Sequence, residues 1–130
     1  MIILIKALVV RDGKLLLLRR KKEEGGFWQP VGGKVEDESL NDALLRELYE
    51  ETGIRDVVSV KELRSCIIDK HYITGKPTEP QKEYVFVVEV KTDKVKVDNI
   101  EHDSYGWFSF SEALKKVKWK NDVESISLLA

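Results

Sequence analysis

The stretch RELYEETG, Arg46 to Gly53, brings Glu47, Glu50 and Glu51 within five residues of one another. In a helix, residues three and four apart are neighbours, so all three carboxylates share one face. At about 100° per residue, Glu50 and Glu51 lie within about 60° of Glu47, while Leu44, Leu48 and Leu45 span about +60° to +160°. An apolar stripe therefore runs beside an acidic one. Like charges at this spacing destabilise a helix by roughly 0.2–0.5 kcal/mol per pair. One reading is a solvated acidic face on an amphipathic helix; the other is a site for a cation.

Working outward, Ser39 is an N-cap and Asp42 three residues on resembles a capping box, which predicts a helix from about Leu40 to Thr52. Gly53 fits the position after the helix, where φ is often positive. Ahead of the helix, Gly32-Gly33 opens a loop expected to run to Glu38. A glycine turn lets backbone carbonyls approach a ligand closely. Mg²⁺ takes oxygen ligands, a few carboxylates plus substrate phosphates. Such a cation would turn the repulsion among the glutamates into attraction, so loop and helix together read as a magnesium–phosphate site.

The rest of the chain reads as alternating elements. Residues 2–10 form an apolar strand, Asp12-Gly13 a hairpin turn and residues 15–19 the returning strand. Residues 21–26 are a charged loop, and 27–31 (FWQPV) a short extended piece that Pro30 confines to an edge. One or two strands are expected over 56–69, a loop with two prolines over 70–81, and strands over 83–91 and 105–110. Ser111 is the expected cap of a helix over 111–117, and a last helical segment covers 120–129. The mixture predicts an α/β fold whose sheet is not purely parallel.

With 130 residues, the chain has the length of a single domain, 1–130. A net charge of -1 provides no global field toward nucleic acid or anionic membrane. The single Cys66 excludes an intramolecular disulfide, and with only His71 and His102 to assist, a cysteine zinc site is not expected. The apolar start is short, lacks a basic leader and runs straight into RDGK, so neither a signal peptide nor a membrane span is expected. The expected location is the cytoplasm.

From Gly32, the chain resembles the signature of the Nudix hydrolases, G-x5-E-x7-R-E-U-x-E-E-x-G-U, where U is bulky and apolar. Gly32, Glu38, Arg46, Glu47, Leu48, Glu50, Glu51, Gly53 and Ile54 match at every specified position over 23 residues. One departure stands out. Many members have two glycines and then five residues before the first motif glutamate, whereas Gly33 is followed by only four, KVED. This leaves open which glycine carbonyl would face a metal. Segments FWQPVGGKVEDE, IEHDSYGWFSFSEA and KWKNDVESI resemble the branch of dihydroneopterin triphosphate and nucleoside triphosphate pyrophosphohydrolases.

The resemblance implies an α/β/α sandwich with a mixed sheet, Mg²⁺ or Mn²⁺ as cofactor, and hydrolysis of a nucleoside (or pterin) triphosphate to the monophosphate and pyrophosphate. Alternatives are a diadenosine tetraphosphate hydrolase and a non-catalytic nucleotide-binding module; a homodimer is compatible with the family. By position in the motif, Glu50 and Glu51 are metal ligands, Glu47 is a further ligand or the base for water, Gly32 offers a carbonyl, and Arg46 orients the carboxylates, with Glu38 behind them. An acidic residue outside the motif is expected: Glu101, or a solvated loop carboxylate there, with Glu83 as rival. For substrate, Arg19, Arg20 and Lys34 are phosphate-binding candidates or solvated charges. Trp28, with Phe27, stacks on a ring or belongs to the core; Gln29 would hydrogen-bond the ring, and Tyr72 would border the pocket.

Overall fold

The computed structural model describes residues 1–71 and 73–130. Strands β1 (Ile2–Arg11) and β2 (Lys14–Arg20) form the expected hairpin. Its turn residues Asp12 and Gly13 have φ of 50° and 73°, the backbone that a primed two-residue turn demands and that Asp-Gly supplies. The two strands pair only near that turn, Val10 with Leu15 and Arg11 with Lys14. Beyond it they part, and Trp28–Lys34 fills the opening. Strand β3 (Trp28–Gln29) pairs with β2, and β4 (Val31–Lys34) pairs antiparallel with β1. Pro30, which cannot donate to a ladder, sits at the crossing between them.

Helix α1 (Leu40–Thr52) follows β4, then β5 (Val57–Lys70), β6 (Pro77–Val90), β7 (His102–Ser109), α2 (Phe110–Lys116) and α3 (Lys120–Ser127). The sheet has seven strands, in order β3-β2-β1-β6-β5, with β4 beside β1 and β7 beside β2. Among the described strands, β1 and β6 pair in parallel and the other pairings are antiparallel, so the sheet is mixed. Ile5, Ala7, Val9, Leu16 and Leu18 pack on one face with Ala43, Leu44 and Leu48 of α1. Leu8, Leu15, Leu17 and Val85 pack on the other with Ala113, Val117 and Ile126 of α2, α3 and their connection. Burial on both faces explains why LLLL is a continuous apolar run. Fully buried Leu44 and Leu48 contribute about 1.5–3 kcal/mol each and fix the roll of α1. Leu45 is exposed and takes no part in that packing.

Several expected boundaries shift. Gly32 and Gly33 lie in β4, paired with Lys6 and Ile5, and so do not open a loop. The expected loop 70–81 shortens to 71–76, because β6 begins at Pro77. Its pairing with β1 starts only at Gln81, and its register with β5 is irregular between Ile68 and Lys70, so Pro77 and Pro80 interrupt no regular ladder on either side. Residues 57–70 are one strand. Strand β7 starts at His102, earlier than expected, and the next helix is capped by Ser109. Ser109 pairs reciprocally with Glu112 in a capping box, which Ser111 has no glutamate in position to make. Among the described residues, no helix is long and apolar enough to cross a membrane.

Candidate functional site: an acidic helix face at the edge of a large cavity

Capping fixes where α1 begins and ends. The Ser39 hydroxyl accepts from the Asp42 backbone N–H at 3.1 Å. Gly53, at φ 75°, closes the helix with its N–H on the Tyr49 carbonyl at 2.8 Å. Between these ends the leucine stripe seats the helix, and the acidic stripe beside it meets β4. A Cβ on Gly33 would overlap the Glu47 carboxyl, whereas one on Gly32 would meet the Ile5 carbonyl oxygen at 2.8 Å. The glycine pressed against the acidic face is therefore Gly33, although the motif count singles out Gly32.

Arg46 organises the carboxylates. Its Nε donates to Glu38 Oε1 at 2.8 Å, Nη2 to Glu38 Oε2 at 2.9 Å, and Nη1 to Glu47 Oε1 at 2.8 Å and Glu50 Oε2 at 3.3 Å. Nη2 also reaches the Lys34 carbonyl at 3.1 Å, tying β4 to α1. The Arg46 guanidinium is pushed up chiefly by Glu38, and Arg46 holds the Glu38 carboxyl below its usual range. Glu51 has no share in this. It is buried, its Oε1 has no hydrogen-bond partner, and it lies against Glu47. Burial pushes its carboxyl well above the ordinary range, and the charges of Glu47, Glu101 and Asp98 add to the shift. Burial raises Glu47 as well.

Glu101 thus comes within electrostatic reach of the motif from the segment before β7. Its side chain meets Arg20 Nη1 at 3.3 Å, and its carbonyl accepts from Lys21 N–H at 3.0 Å. Glu83 goes elsewhere. Alternation along β6 puts it with Val85 on the face toward α3. There Lys6 lies 3.2 Å away, and Asn121 Nδ2 donates to it at 3.3 Å. Lys6 also pairs with Asp122. Burial opposes the charge on Lys6, but the two carboxylates outweigh it and hold the ammonium up.

A cavity of about 930 Å³ adjoins the acidic face. Glu47, Gly32, Gly33, Lys34, Arg20, Gln29 and Glu101 line one part, and Lys6, Glu83, Trp119 and Asn121 another. Of the substrate candidates, Arg20, Gln29 and Lys34 are therefore in place. Arg19 is not: the alternation of β2 turns it outward, where Nε and Nη2 each meet Asp103 at 2.9 Å. Trp28 does not line the cavity either. Its ring packs edge-on to Phe108 at 5.2 Å, on the α2 side of the sheet. The aromatic at the cavity is Trp119, itself packed edge-on to Phe27 at 5.7 Å. Tyr72 lies outside the described residues.

Trp119, Asn121 and Lys6 were missed as site residues. Lys6 carried a signal, since a lone lysine inside MIILIKALVV must find a buried partner. Trp119 and Asn121 lie in the KWKNDVESI segment that resembles the pyrophosphohydrolase branch, but nothing local to it shows that the return of α3 to the sheet brings them to the cavity.

The donor chemistry suits a hard divalent cation: carboxylates with an orphaned buried oxygen, beside a tight glycine strand whose Lys34 carbonyl is already tied to Arg46. Glu47, Glu50, Glu51 and Glu101 could hold it, with a β4 carbonyl. Among the described residues, no three acidic, histidine or cysteine side chains are gathered closely enough to hold a metal as they stand; Arg46 draws Glu47 and Glu50 to itself.

Residues 5–129 match the family profile of the NUDIX domain, and the chain belongs to the Nudix family. It is 49% identical over 61 residues to the CTP pyrophosphohydrolase of Escherichia coli strain K12, covering 45% of this chain and 45% of that protein. It is 33% identical over 118 residues to an octanoyltransferase of Myxococcus xanthus, covering 88% of this chain and 32% of that protein. The chain thus spans less than half the length of either relative. The solved dihydroneopterin triphosphate pyrophosphohydrolase of E. coli shares the fold, with a TM-score of 0.79 at 21% identity over 97% of this chain and 92% of that one.

Proposed function

We propose that the chain is a metal-dependent pyrophosphohydrolase that converts a nucleoside or pterin triphosphate to the monophosphate and pyrophosphate. The observation that carries this reading is Glu51: a buried carboxyl with an orphaned oxygen, packed against Glu47, which itself lines a cavity that also holds cationic side chains. Among the described residues, none donates a hydrogen bond to that oxygen. Mg²⁺ or Mn²⁺ held by Glu47, Glu50, Glu51 and Glu101 would supply the charge neutralisation on which phosphoryl substitution depends.

The chain's own residues do the remainder. Arg46 holds Glu47 and Glu50 in place through charge-assisted hydrogen bonds, and Glu38 fixes Arg46 in turn. Glu47, raised by burial, is the candidate to take the proton of the attacking water. Arg20 and Lys34, which line the cavity, neutralise the phosphate chain, and Gln29, which also lines it, meets the ring. The name of the E. coli CTP pyrophosphohydrolase supports a nucleoside triphosphate as substrate.

The test is incubation with Mg²⁺ and a panel of nucleoside triphosphates, dihydroneopterin triphosphate and diadenosine tetraphosphate, followed by product identification. Pyrophosphate and a monophosphate are expected, and EDTA stops the reaction. ATP plus AMP from diadenosine tetraphosphate, with no triphosphate cleaved, overturns the reading.

A further inference from the structure

Gln29 reaches the cavity from β3 and is held from behind. Its Nε2 lies 3.0 Å from Nε2 of His102, and Nδ1 of His102 lies 3.0 Å from Oδ2 of Asp98. His102 is fully buried. The other Asp98 oxygen accepts from the backbone N–H groups of Ile100 at 2.8 Å and Glu101 at 2.9 Å. A carboxylate so placed only accepts, so the ring proton of His102 sits on Nδ1. Nε2 of His102 faces the Gln29 amide nitrogen, a group that only donates, so Nε2 is the acceptor of that bond. Gln29 has one group that can donate to it, the amide nitrogen. Turning the amide over would set two acceptors against each other in a buried position. The order of donors and acceptors therefore leaves Gln29 Oε1 on the cavity side, and no described residue donates to it.

We infer that Asp98 and His102 are positioning residues that lock Gln29 as a hydrogen-bond acceptor toward the cavity, so that the site selects a ring bearing an amino group over one bearing a carbonyl at the position Gln29 meets. The inference rests on the nucleotide reading above. It adds a rule about which rings fit, set by residues that do not touch the ligand.

The experiment compares CTP with UTP and ATP with ITP, pairs that exchange amino for carbonyl at one ring carbon. Steady-state kcat/KM is measured with Mg²⁺ for the wild type, Gln29→Met, Asp98→Asn and the double variant, each checked for folding by circular dichroism. One hydrogen bond gained is worth about tenfold, so the wild type prefers the amino member of at least one pair by about that factor. Gln29→Met brings the ratio to within about twofold of one. Asp98→Asn is nearly isosteric and can donate to Nδ1. That moves the ring proton to Nε2, turns the Gln29 amide over and shifts the ratio toward the carbonyl member. In the Gln29→Met background, Asp98→Asn shifts the ratio no further, because its effect passes through Gln29. A merely structural role lowers both members of a pair alike and leaves the ratio intact.

A wild-type ratio near one in both pairs overturns the inference, as does a ratio unchanged in Asp98→Asn. If no nucleotide is hydrolysed, it is the hydrolase reading that fails. Calorimetric binding of the same four nucleotides to the same variants then decides the inference by the same ratios.

Discussion

Arg46 is the counter-charge that the acidic face lacks when RELYEETG is taken alone. It satisfies Glu38, Glu47 and Glu50 and leaves Glu51 buried with an orphaned oxygen. Such a group costs about 1–3 kcal/mol, so the residue most suited to a cation is also a weak point of the metal-free fold. Glu51→Gln keeps the shape and removes the charge. Its metal-free form is expected to be more stable at pH 8 by about 1–3 kcal/mol, read by urea denaturation, while turnover disappears. A variant as active as the wild type, or clearly less stable, contradicts this. Glu50→Gln makes a different prediction, because Glu50 is exposed and meets only one nitrogen of the Arg46 guanidinium, through long contacts of 3.3 and 3.5 Å. Its melting temperature stays near that of the wild type while turnover is abolished, and near-normal activity removes Glu50 from the metal set.

At the scale of elements, the two glycines of β4 separate stability from activity. Gly33→Ala pushes the end of a flexible side chain, the Glu47 carboxyl, and Gly32→Ala pushes a backbone carbonyl of β1. Gly33→Ala should therefore change stability by less than about 1 kcal/mol and depress turnover. Gly32→Ala should destabilise by about 1–3 kcal/mol; thermal melts alongside Mg²⁺-dependent rates check both. This pair also shows what was legible. The limits of α1 followed from Ser39 and Gly53 because capping is local chemistry. Strand β4 was hidden, since two glycines carry no side-chain alternation and their partner, β1, lies about 28 residues upstream in register. The exchange of Trp28 for Trp119 at the cavity has the same origin. Sequence shows an aromatic but not which face of a two-residue strand it takes, nor that Trp119 returns beside Phe27.

For the whole molecule, a sheet that is not purely parallel followed from the opening hairpin and the mixture of strands and helices, and its two helical layers followed from the family resemblance. The cavity did not, because it is assembled from β1, β4, β6, the segment before β7 and the start of α3. Its charge distribution has a global consequence. An unfolded glutamate titrates near about 4.3, and Glu51 titrates higher in the fold because of burial and its acidic neighbours. The folded state holds that proton more tightly, so the associated stability is complete below the unfolded value and is lost as pH rises through the folded one. The metal-free wild type should lose stability between pH 5 and pH 8 relative to Glu51→Gln, and Mg²⁺ should raise its melting temperature more at pH 8 than at pH 5. Equal Mg²⁺ shifts at both pH values contradict this coupling. The most direct test of the central claim, that the α1 acidic face is a cation–phosphate site, is product analysis with and without Mg²⁺ for the wild type and Glu51→Gln. The account predicts a nucleoside or pterin monophosphate and pyrophosphate only from wild type with metal. Nucleotide bound but never cleaved by the Mg²⁺-loaded wild type, or cleavage that persists in Glu51→Gln, would contradict it.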